Sequence, residues 1–136
     1  MPDYKIITDS ACDLPQSMLA ELDVTKVSLY VNFRGEAHPD SVDDGIREIY
    51  AGLRAGESAT TSAANPEGWT EVIEPVLAGG MDALVLAFSS GLSTTYQSAV
   101  IAAEDLKEKY PQRKVLVVDS LCASLGQGLM VWYACK

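Results

Sequence analysis

Hydrophobic and polar positions along this chain alternate between strand-like and helix-like periods. Residues 4–10, YKIITDS, form a short β-branched run closed by Asp9-Ser10. Residues 12–22 then predict a helix, with Asp13 as N-cap, Pro15 early in the first turn and Gln16 three residues after the cap. VTKVSLYVNFRG, 24–35, alternates in places and predicts a strand closing on a turn at Gly35. From 41 to 56, a Ser41 cap, one face of Val42, Ile46, Ile49 and Leu53, and a Gly56 stop predict a second helix. Residues 57–66 read as a polar connector. Asn65-Pro66 opens a helix carrying Trp69, Val72, Ile73 and Val76, with Pro75 inside it, where the missing N–H predicts a kink. Residues 81–90 form a wholly apolar strand, 94–110 a long amphipathic helix ended by Pro111, 113–120 a second apolar strand, and 121–134 the start of a last helix.

Strands without polar alternation, separated by helices, imply a parallel sheet covered on both faces, and hence an α/β class with right-handed crossovers. Ligands of such sheets bind outside the carboxyl ends of the strands. The 136 residues make one domain's worth of chain. A net charge of −9 with no basic run argues against nucleic acid and anionic membrane surfaces as partners. Apolar runs such as Val115 to Val118 are too short to span a bilayer, so no integral membrane segment is expected. Cys12, Cys122 and Cys135 form no CxxC pair and read as reduced, mostly buried thiols of a cytoplasmic protein. The chain runs out in GLMVWYACK, an apolar helical stretch, and the expectation is a covering element or a longer protein.

Three predicted strands end alike, in Asp9-Ser10, Ser89-Ser90 and Asp119-Ser120, and the connector adds Thr60, Thr61 and Ser62. Ser93 to Thr95 lie at a helix start, where free N–H groups and the macrodipole favour an anion. Hydroxyls donate to a carboxylate or phosphate without bringing a counter-charge, which is chemistry for holding an acid rather than for breaking a bond. The same residues also serve as ordinary caps and turn formers. Catalytic patterns are thin. His38 falls in a turn-like segment, no serine sits in a GxSxG elbow, and Cys12 has no activating neighbour in sequence. One histidine and three scattered cysteines make no metal site, and neither a P-loop nor a GxGxxG is present; Gly126-x-Gly128 alone is weak. No catalytic residue, metal or cofactor is assigned.

IITDSACDLP at the N-terminus, TSAANP at 61–66, SSGLSTTYQSA at 89–99 and VVDSLCASLGQG at 117–128 resemble the DegV family, in order and across essentially the whole chain. That resemblance implies the Rossmann-like N-terminal lobe, here residues 1–136, of a two-lobed protein that binds a long-chain fatty acid between its lobes. It also implies a role as the binding subunit of bacterial fatty acid kinase, presenting the acid to a separate ATP-using subunit that makes acyl phosphate for phospholipid synthesis. Carried over by motif, Thr61 and Ser93 hold the carboxylate. Ser62, Ser89, Ser90, Gly91, Ser10 and Ser120 shape or support the loops. The family's usual lysine and glutamine are missing from the first loop, which reads Thr60-Thr61-Ser62-Ala63-Ala64-Asn65-Pro66, and Thr94 replaces a usual glycine. The sheet is also similar to sugar-phosphotransferase and dihydroxyacetone-kinase domains, although His38 lies in no matching motif. A regulatory binding module without a small ligand is the third reading.

Overall fold

A computed structural model describes residues 3–136. Strands β1 (Tyr4–Asp9), β2 (Thr25–Val27), β6 (Asp82–Ala87) and β7 (Val115–Asp119) form a parallel sheet in the order β2-β1-β6-β7. Helices α3 (Pro66–Ala78) and α4 (Thr95–Lys109) cover one face, and α1 (Gln16–Glu21) and α5 (Ser124–Ala134) the other. Burial on both sides explains the missing polar alternation. Ile7, Ala83, Val85 and Val115 face Trp69, Ile73 and Ala99, whereas Ile6, Leu84 and Leu86 face Leu19 and Val131.

Several elements depart from the sequence reading. The strand expected over 24–35 breaks at Ser28-Leu29, because Leu29 donates its N–H to Ser10 Oγ (2.9 Å) and accepts from Asp40 N–H (2.8 Å). Its second half, β3 (Tyr30–Phe33), joins β4 (Glu36–Pro39) and β5 (Ala59–Ser62) in a separate antiparallel sheet ordered β4-β3-β5. The supposed polar connector therefore contains a strand, suited to its β-branched Thr60 and Thr61. His38 lies within β4 opposite Val31, not in a turn.

Asp13 does not cap α1. Asp9 caps a 3₁₀ turn at Ser10–Cys12, Asp13 ends that turn at φ 55°, and Ser124 donates its hydroxyl to Asp13 Oδ2 (2.6 Å). The N–H of Gln16 goes instead to Asp43 Oδ2 at 2.8 Å. Ser41 likewise accepts from Asp43 and Asp44 N–H in a turn, and α2 (Ile46–Arg54) begins only after Gly45, at φ 69°. Asn65 caps α3 as expected, accepting from Gly68 N–H at 2.8 Å, and α3 contains Pro75 and runs on to Ala78. The strand β7 is a sheet edge rather than a covered strand, leaving Leu116 62% and Val118 37% exposed.

Gly128 explains the isolated GxG. A methyl group there would lie 2.7 Å from the Cys12 carbonyl oxygen and 3.0 Å from Leu14, so the glycine lets α5 rest on the 3₁₀ turn. Gly128→Ala should cost about 1–3 kcal/mol by overpacking. Gly126→Ala, whose methyl would meet Cys122 Cβ at 3.8 Å, should be tolerated. Urea denaturation of both variants checks the contrast, and equal stability of the two would disprove it.

Candidate functional site

In the parallel sheet the chain leaves β1 toward β2 on one side, while β6 and β7 lie on the other, so the topological switch falls between β1 and β6. Ligand crevices open at such points, outside the carboxyl ends of the strands. Asp9 ends β1 there, with 0% of its surface exposed. Its carboxylate accepts from Phe88 N–H (2.7 Å), Ala11 N–H (3.0 Å) and Gln127 Nε2 (3.1 Å). Gln127 also donates to Thr8 Oγ1 (3.2 Å), which donates to Leu86 O (2.8 Å). Burial outweighs these bonds and raises the Asp9 pKa to about 6.

Asp9 thereby sets the height of the turn that follows β6. Ser89 is buried; its hydroxyl accepts from Gly91 N–H (3.2 Å) and its carbonyl from Leu92 and Ser93 N–H. Ser90 is exposed; its side chain first, then its N–H (3.1 Å) and that of Leu121, hydrogen-bond Asp119 and hold that carboxyl below its usual range. Ser93 Oγ lies just before α4, accepts from Thr95 N–H (3.1 Å) and pairs with Thr95 Oγ1 at 2.8 Å. Thr95 is fully buried and its Oγ1 also accepts from Ala64 N–H (3.3 Å), while its carbonyl accepts from Trp69 Nε1 (3.1 Å). One threonine thus ties the segment following β5 to the start of α4.

The expected hydroxyls divide accordingly. Ser10, Ser89 and Ser120 do sit at the ends of their strands, but each is already engaged, Ser10 with Leu29 N–H (2.9 Å), Ser89 with Gly91 N–H (3.2 Å) and Ser120 with Cys122 N–H (3.2 Å) and carbonyl (3.3 Å). Ser62 accepts from Asn32 Nδ2 at 2.9 Å within the small sheet. Thr61 is exposed on the opposite face of β5 from Ser62, opposite Val31. Ser93 is linked through Thr95 to Ala64, three residues after Thr61. Cys12 is buried, and burial pushes its thiol up to about 11, so it is no nucleophile at neutral pH. Three groups central here were not singled out as site residues from sequence. Thr95 is one more hydroxyl of the run Ser93 to Thr95, Asp9 reads from sequence only as a strand end, and the signal that could find Gln127 is a polar residue on the α5 face that also carries Val131.

Fold and site together define an α/β domain whose switch-point turns carry hydroxyls beside the N-terminal N–H groups of α4. The chain belongs to the DegV family, whose model, described as "Uncharacterised protein, DegV family", matches residues 3–136. A DegV domain-containing protein of Clostridium perfringens is 41% identical over 138 aligned positions, covering 100% of this chain and 47% of the relative. A stearic acid-binding protein of Eubacterium ventriosum superposes with a TM-score of 0.89 at 31% identity, over 97% of this chain and 46% of that one. A Thermus thermophilus DegV family protein, described for its fatty acid binding, superposes with a TM-score of 0.85 at 39% identity, over 97% and 46%. The chain spans about half the length of the curated relatives it matches. Among the described residues no helix is long and apolar enough to cross a membrane.

The raised pKa of Asp9 has a thermodynamic sign. Its folded value of about 6 exceeds the ordinary 3.8, so the folded state takes up the proton more readily. The resulting stabilisation is full below the unfolded pKa and is lost as pH rises through about 6. The nearby Asp40 carboxylate adds to the upward shift. Relative to Asp9→Asn, the wild type should gain about 2 kcal/mol between pH 7.5 and pH 4.5. Denaturant unfolding of both proteins at the two pH values measures this; a constant difference would mean that Asp9 does not titrate in this window.

Proposed function

We propose that this chain is the N-terminal lobe of a two-lobed fatty-acid-binding protein and that Ser93 and Thr61 jointly hold the ligand's carboxylate. The observation that carries this reading is the arrangement of Ser93 before α4. Its oxygen already accepts from Thr95 N–H and lies 2.8 Å from Thr95 Oγ1. With Thr95 donating its hydroxyl proton, Ser93 has its own proton left for an outside acceptor. The N–H groups of the first turn of α4 add their dipole at the same place. A buried carboxylate is retained only where several donors satisfy it, and Thr61, three residues before the tethered Ala64, supplies another hydroxyl. Fatty acid binding in the similar structures from Eubacterium ventriosum and Thermus thermophilus supports the ligand class.

The protein acts as a carrier rather than as an enzyme. It presents the bound acid to a separate ATP-using kinase subunit, which makes the acyl phosphate used in phospholipid synthesis. The family resemblance of the four motifs supports this partnership.

Organic extraction of natively purified full-length protein should release a long-chain fatty acid detectable by mass spectrometry, and an empty extract would refute the ligand. A hydrogen bond to a charged acceptor is worth about 1.5–3 kcal/mol. Ser93→Ala and Thr61→Ala should therefore each weaken binding roughly ten- to a hundredfold. The double variant should lose less than the sum, because both hydroxyls meet one group. Ser98→Ala, within α4, is the control; equal and negligible effects of all three would leave the hydroxyls as caps only. Incubation with ATP, Mg²⁺ and oleate should yield acyl phosphate only after the kinase subunit is added, and product without it would end the carrier reading.

A further inference from the structure

Thr95 spends its hydroxyl in an unusual way for a helical threonine. Such a residue commonly turns its oxygen back to a carbonyl three or four positions earlier. Thr95 Oγ1 meets two other groups instead, the Ala64 N–H at 3.3 Å and Ser93 Oγ at 2.8 Å. The residue is fully buried, and Trp69 Nε1 holds its carbonyl at 3.1 Å. Ala64 and Trp69 are buried with it.

Counting protons fixes the direction of the Ser93–Thr95 bond. A hydroxyl carries one proton and two lone pairs. Were Ser93 the donor, Thr95 Oγ1 would accept twice, from Ser93 and from Ala64. Its own proton would then lack an acceptor in a place closed to solvent, and a buried donor left unmet is costly. With Thr95 as the donor, every group is met. Ser93 Oγ, on a partly exposed residue, accepts from both the hydroxyl and the N–H (3.1 Å) of Thr95. Both of its lone pairs are taken, and what remains to face a ligand is a proton.

We infer that Thr95 is a positioning residue of the candidate site: it makes Ser93 an obligate donor, which selects a head group able to accept, and it joins that donor to the small sheet through Ala64. This rests on the fatty-acid reading above and adds which buried residue sets the polarity of its hydroxyl. An ionised carboxylate is an acceptor only, so it matches Ser93 in this state and in no other. Hydrogen bonds that run one way along a chain strengthen one another. A carboxylate drawing on the Ser93 proton therefore makes Ser93 the better acceptor for Thr95, and Thr95 the better acceptor for Ala64.

Palmitate titration of the full-length protein, followed by calorimetry, tests this with a double-mutant cycle. Thr95→Val should weaken binding about tenfold when Ser93 is present, and no more than about threefold when Ser93 is already Ala. Thr95→Ser keeps the hydroxyl and should bind within about twofold of the wild type. No loss in the valine variant, a loss of equal size in both backgrounds, or a serine variant as weak as the valine one would overturn the role of Thr95 and leave fatty acid binding intact. Wild-type protein that takes up no palmitate would end both readings. Where the valine variant folds poorly, the wild type still decides. The Ala64 amide proton, followed by NMR, should move downfield as palmitate saturates the wild type and stay in place in Ser93→Ala protein. An amide that ignores palmitate in the wild type, or moves equally in both proteins, would overturn the relay.

Discussion

A carboxylate with no contact to water sits where β1, β6 and α5 meet, and the rest of the site is built around its needs. Removing Asp9 from solvent costs several kcal/mol unless donors surround it. The donors come from three places: its own following turn, the Phe88 N–H after β6, and the Gln127 amide on α5. Each bond fixes one element against another, so the requirement of a single side chain sets the relative heights of two strand ends and a helix. Gln127 gives N–H bonds to Asp9 and Thr8 and keeps its carbonyl oxygen buried without a partner. Such an orphan costs about 1–3 kcal/mol, a cost consistent with donors being what this location demands.

The second organising contact is smaller. The small antiparallel sheet leaves the main fold at Leu29 and returns at Ala64, and both junctions are held by hydroxyls: Ser10 receives the Leu29 N–H and Thr95 the Ala64 N–H. Ser10 follows β1 and Thr95 begins α4, so each belongs to the parallel domain. The small sheet is therefore hung from the same edge at which the turns open. That placement leaves Thr61, which belongs to a different sheet, three residues before the tethered Ala64.

The parallel core was legible because its signal is strong and local. β6 and β7 are nearly continuous apolar runs, β1 is a short β-branched one, and α3 and α4 carry clear faces with Asn65 and Pro111 as punctuation. What escaped was decided by long-range bonds. Asp13 and Gln16 have good capping chemistry, but Ser124 and Asp43 redirect their groups from far along the chain, while Ser41 is taken up by the turn that follows it. The strand over Ala59–Ser62 lies at the edge of an exposed sheet, with polar residues on both faces, so its period is silent until β3 is alongside. At the site, the hydroxyl clusters were visible as types, whereas their division into engaged and available groups depends on partners such as Thr95 Oγ1 and Asn32 Nδ2, which only folding supplies.

β7 ends its sheet with one row of backbone N–H and C=O groups unpaired within the sheet, beside the exposed side chains of Leu116 and Val118. An open edge of this kind is a template for strand pairing, and charge on β7 itself is confined to its last residue, Asp119. Colloidal behaviour and conformational stability therefore rest on different parts of the molecule, the first on this edge and the second on the covered core. A folded core of unchanged stability can thus differ in how it behaves among other molecules, according to whether this edge is covered.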